Sequence, residues 1–119
     1  MPDRRPDGNL FSASVAGAGE LFDALAESPD VLVERIVSTG QTTPPGEWLE
    51  QERDEWVVLL AGEAALSFAA GTDLVLGAGD HVLIQAGERH RVERTRAEPP
   101  CVWLAVHTVG LRGPGEAAS

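Results

Sequence analysis

From residue 31 to residue 109 the chain alternates short apolar stretches with glycine-bearing turns, and within each stretch the pattern is that of strands. Residues 31–38 are rich in β-branched side chains and open the series. Trp56 to Leu60 is an unbroken apolar run, which suits a strand covered on both faces, and Ala61, Gly62 and Glu63 turn it into residues 64–70. Gly71 and Thr72 return the chain into residues 74–76. Residues 77–80 turn it again into 81–85, and Gly87 and Glu88 lead into 90–95. Pro99 and Pro100 break the last connection before residues 101–109, and residues 41–46, with Pro44 and Pro45, read as a loop. Strands at this spacing predict an all-β sandwich or barrel. One segment departs from the pattern. Residues 20–26, Glu-Leu-Phe-Asp-Ala-Leu-Ala, carry apolar residues at helical spacing among strong helix formers and stop before Ser28, Pro29 and Asp30, which predicts a short N-terminal helix capping the barrel.

A chain of 119 residues has room for one domain and one core, and a chain this size buries about two thirds of its unfolded surface. The polar ends, residues 1–9 and 111–119, are expected to be disordered, leaving 10–110 as the folded domain. No apolar run approaches membrane-spanning length and no leader pattern opens the chain, so the expectation is a cytoplasmic protein with no membrane partner. Cys101 is the single cysteine; it begins an apolar strand and reads as a buried thiol. The formal charge of −10 repels a phosphate backbone and argues against nucleic acid. Its distribution adds something, because Arg89, Arg91, Arg94 and Arg96 cluster around His90.

Two runs carry a family resemblance. Residues 55–62, Glu-Trp-Val-Val-Leu-Leu-Ala-Gly, match an acidic residue opening a strand and the glycine that ends it. Residues 79–90, Gly-Asp-His-Val-Leu-Ile-Gln-Ala-Gly-Glu-Arg-His, supply a glycine, a second glycine and a histidine, with Gln85 where a proline is usual and Arg94 where an asparagine often sits. In this the chain resembles the cupins. The resemblance implies a single-domain double-stranded β-helix, or jelly-roll barrel. It also implies a pocket for a divalent transition metal (Fe, Mn, Zn or Ni) held by two histidines, a glutamate and a later histidine. Glu55 and His90 occupy two of those positions. The two remaining histidine positions fall on Leu49 and Gln51, or on Trp48 and Glu50 if the spacer is one residue longer.

The expected metal set is therefore Glu55, His90, Gln51 through its amide oxygen, and His107. His107 enters by alternation: Trp103, Ala105 and His107 share one face of a strand, and if that face is inward His107 restores an imidazole. If not, it ends the strand in solvent or hydrogen-bonds locally. Alternation also puts His90, Val92, Arg94 and Arg96 on one face, which makes Arg94 the candidate to bind an anionic small molecule through a bidentate guanidinium contact. Otherwise Arg94 pairs over the rim with Glu50 or Asp54. Trp48, Leu49 and Trp103 are the expected walls of the substrate pocket.

Two functions fit these residues. One is a metal-dependent dioxygenase, isomerase or lyase with Arg94 orienting the substrate; the other is a non-catalytic, metal-free binding protein on the same barrel. Metal-free epimerisation with a tyrosine acid is disfavoured, since the chain has no tyrosine. The apolar run at 56–60 leads to the expectation of a homodimer.

Overall fold

The computed structural model describes residues 4–12 and 19–115. The expected terminal segments fall partly outside them. The described chain forms β1 (Leu21–Glu27), β2 (Leu32–Ser38), β3 (Asp54–Ala61), β4 (Ala64–Phe68), β5 (Asp73–Leu76), β6 (His81–Ile84), β7 (His90–Thr95) and β8 (Cys101–Thr108). Five strands make one sheet in the order β1-β2-β8-β3-β6, and three make the facing sheet in the order β5-β4-β7; every pairing is antiparallel. Among the described residues no helix is long and apolar enough to cross a membrane.

The all-β barrel is as the sequence predicts, but its N-terminal element is not. Residues 21–27 form an edge strand, registered from Leu21 opposite Val37 to Glu27 opposite Leu32. Ser28 and Val31 exchange backbone hydrogen bonds of 2.8 and 3.4 Å across Pro29 and Asp30, closing a hairpin. Asp23 and Arg35 pair across it at 2.6 Å. The helix preference of alanine, leucine and glutamate amounts to a few tenths of a kcal/mol per residue, roughly, and a single isolated turn or two of helix is marginal in water. The open edge of β2 offers a full ladder of backbone partners, and that outweighs it.

Apolar side chains from both sheets meet between them: Val57 and Leu59 of β3, Leu66 and Phe68 of β4, Leu76, Ile84, and Trp103 and Ala105 of β8. Within the run 56–60 the buried Val57 and Leu59 belong to this core, whereas Trp56 stands on the other face, its ring 5.6 Å from that of His81. The turn between β3 and β4 needs Gly62. Its φ is +94°, and a Cβ there would lie 2.7 Å from Cys101 Sγ and 2.8 Å from Cys101 Cα. Cys101 is itself fully buried, as expected.

One irregularity decides what faces the interior. Ala65 pairs with Arg94 and Leu66 with Val92, so Glu93 is an extra residue bulged out of β7. Before the bulge His90 and Val92 point inward; after it the inward residue is Thr95, which is buried, and Arg94 points out.

Candidate functional site

A cavity of about 380 Å³ opens between the sheets. One wall is β3 and β8. Glu55 lies directly opposite His107 in their register, and each is buried, at 7% and 8% exposure. β2 adds Glu34 next to them, in step with Ile36 and Ser38, and the His107 Nε2 is 3.0 Å from Glu34 Oε1. The facing wall is β7, where His90 is 3% exposed and lies opposite Phe68. Its Nδ1 is 2.9 Å from the Glu88 carbonyl. A carbonyl can only accept, so that nitrogen carries the proton and Nε2 of the neutral ring is left as an acceptor.

The rim is residues 43–49, laid along β7. Thr43 and Val92 exchange hydrogen bonds, as do Leu49 and His90. Arg91 fixes this segment by donating to the carbonyls of Thr43, Pro44 and Glu47 at 3.0, 3.1 and 2.9 Å. At the other side Trp103 Nε1 donates to Ser38 Oγ at 3.2 Å, and the Ser38 hydroxyl donates to the Glu20 carboxylate. Trp103 and Leu49 line the cavity, while Trp48 is not part of the lining.

Burial pushes the Glu55 carboxyl above its ordinary range. The imidazoles of His107 and His90 oppose that shift, the Glu34 carboxylate adds to it, and a hydrogen bond from Gln51 opposes it. A buried carboxyl of raised proton affinity beside imidazoles is suited to hold and move a proton. Asp54, next in the chain, faces the other way: it accepts from the backbone N–H groups of Ala86 and Leu111, each at 2.8 Å, and these hold its carboxyl below the usual range.

Glu55, His90, Gln51 and His107 therefore share one cavity. As arranged they do not fit a transition metal, which asks for several imidazole, carboxylate or thiolate donors aimed at one point. Among the described residues no three His, Cys, Asp or Glu side chains form such a group. Leu49 has no donor, Gln51 is turned to Glu55, and His107 is engaged by Glu34. Arg94 is a second departure. It lies outside the lining, about half exposed, 3.2 Å from Glu63, because the bulge at Glu93 reverses the alternation that would have turned it inward. Among the described residues no arginine lines the cavity, whereas Glu20, Glu34, Glu47 and Glu55 all do.

Glu34 and Glu20 were hidden in a sequence rich in acidic residues. Glu34 had a signal: it alternates in phase with Ile36 and Ser38, a charge on the apolar face of a strand.

Comparison with known proteins agrees with this architecture. The cupin domain model matches residues 35–107, and the chain belongs to the cupin family. Among solved structures, a "putative mannose-6-phosphate isomerase" from Ralstonia eutropha JMP134 is 38% identical, with 89% of this chain and 100% of that one covered and a TM-score of 0.84. A cupin superfamily protein from Desulfitobacterium hafniense DCB-2 is 20% identical over 92% of this chain and 95% of its own, with a TM-score of 0.74. The structure of FeII HppE shares the fold at 12% identity and a TM-score of 0.62, over 74% of this chain and 49% of its own. No curated protein matches the chain.

Proposed function

We propose that this cupin binds a small, hydroxyl-rich neutral molecule, with Glu55 and His107 placed to exchange a proton with it. The observation that carries the reading is the makeup of the lining. Carboxylates and imidazoles on an apolar barrel accept hydrogen bonds from hydroxyl or amine groups, and no guanidinium stands there to balance an anion. The Ralstonia relative's description names a sugar phosphate; the cavity suits the hydroxyls of such a molecule and repels its phosphate. This replaces the expectation of an anion held by Arg94.

Calorimetric titration of the protein with neutral sugars, polyols and their acidic counterparts tests the reading. Binding of the neutral members that is lost in Glu55→Ala supports it. Binding confined to anions, unaffected by Glu55→Ala, overturns it.

A second reading, metal-dependent chemistry, is favoured by Glu55 and His90 standing at family ligand positions and facing one cavity. It requires a donor that Gln51 does not supply well, since imidazole binds transition metals better than a neutral amide oxygen. Metal content after purification without chelator separates the two: stoichiometric metal in the wild type, lost in His90→Ala, would put this reading first. Uptake by Gln51→His alone leaves the first in place.

A further inference from the structure

A second cleft abuts the cavity. It is lined by Pro29, Leu32, Glu52 and Arg53, and it shares Glu34, Gln51 and His107 with the cavity, so those three residues border both spaces. Arg53 is distinctive. Arg35, Arg91, Arg94 and Arg96 are committed to carboxylates, and Arg4 pairs with Asp7. Arg5, Arg53, Arg89 and Arg112 make no ion pair or hydrogen bond among the described residues, and of these four only Arg53 is part-buried; the others are exposed.

A part-buried guanidinium loses some hydration, and without a protein partner it retains its planar array of donors for an oxyanion. The carboxylates nearby do not use it: Glu34 is bonded to His107, and Glu52 is exposed and makes no ion pair among the described residues. The geometry points to Arg53 as an oxyanion subsite beside the cavity. It receives the carboxylate or phosphate end of a ligand whose hydroxylated body lies against Glu55 and His107. The inference rests on the hydroxyl-binding reading of the cavity and extends it from a neutral body to a ligand with one acidic end. The anion expected at Arg94 is thereby assigned to a different arginine, two residues before Glu55.

Two signals separate the subsite from the cavity. The Arg53 Nε–H resonance reports the cleft and the Trp103 indole N–H reports the cavity, each assigned by substitution in spectra of the full chain. The probes are mannose, mannuronate and mannose 6-phosphate. Mannose is expected to move the Trp103 signal alone, and at least one acidic probe to move both saturably, with a single dissociation constant. Arg53→Gln is expected to weaken that acidic probe about tenfold, the size of one charge-assisted contact, and to leave mannose unchanged; a preference for mannuronate or for the phosphate identifies the oxyanion. If the acidic probes move Trp103 but shift Arg53 no more than the exposed Arg5, Arg89 and Arg112, the subsite is wrong and the cavity reading stands. Silence at both signals with all three probes removes the cavity reading and the subsite together.

Discussion

Asp54 and Glu55 are adjacent at the start of β3 and each 7% exposed, but Asp54 lies at the end of the barrel close to the surface and Glu55 lies deep, and their carboxyls are displaced in opposite directions. Asp54 projects toward the loops at the end of the barrel, where two backbone N–H groups converge on it. Glu55 projects into the cavity, where burial dominates and its neighbours include another carboxylate. Surface exposure alone therefore says little about what an acid does; its depth and the donors that meet it decide. One of these residues fastens the loop after β6 and the chain after β8 to the sheet. The other stands in the cavity with its proton affinity raised.

The largest test of that contrast is Asp54→Ala. Two backbone N–H groups at a part-buried site lose a charged acceptor, for an expected loss of about 3 kcal/mol, measurable by urea unfolding at neutral pH. The sign with pH follows from the lowered folded-state value: the contribution of Asp54 is present above 3.8 and is lost as pH falls through the lower folded value. The gap between wild type and variant should therefore close in acid. A gap that persists unchanged at low pH would show that packing, and not the carboxylate, holds those loops.

His107→Ala comes next. It leaves Glu34 and Glu55 facing one another without an imidazole between them, and an expected cost of about 2 kcal/mol is below that of a fully enclosed pair because Glu34 keeps some contact with solvent. The same unfolding experiment measures it, and an unchanged midpoint would mean the two carboxylates do not rely on His107.

Glu55→Gln should move the other way. Its folded-state value is raised above 4.5, so the penalty for the charged form is absent below that pH, grows as pH rises from there to the raised value and is complete above it. The variant is expected to be more stable than wild type by about 1 kcal/mol at pH 8, on the scale of a modestly desolvated polar group, and equal to it at pH 4. Thermal melts across that range check this. A variant that is less stable at every pH would erase the difference between the two neighbours. The smallest effect is expected of Arg94→Ala, within about 0.5 kcal/mol and with no change in ligand affinity, as for an exposed ion pair.

How much of this could be read beforehand depends on whether local pattern or distant pairing set each feature. The strands from β2 to β8 and the glycine turns between them follow from alternation and backbone conformation, which are local. So does the placement of Glu55 and His90, fixed by two motifs. β1 was not legible, because residues 21–27 take their conformation from the edge of β2. Arg94 was misplaced for a related reason: counting by twos along β7 assumes an unbroken ladder, and the bulge at Glu93 is visible only against its partner strand. Counting by twos does hold on β8, where the register with β2 runs without interruption, so Trp103, Ala105 and His107 share a face. The partner of His107, Glu34, is more than seventy residues away, and no pattern near either residue announces the pair.

The bulge has a consequence for how such barrels diversify. Because Glu93 has no partner on β4, one residue inserted between Ala65 and Leu66 would give it one, restore regular alternation along β7, bring Arg94 to the interior and turn Thr95 outward, with His90 and Val92 left in place. The sign of the charge a barrel prefers would then be set by the length of one strand. Two relatives could share the same motifs, position by position, and select oppositely charged molecules.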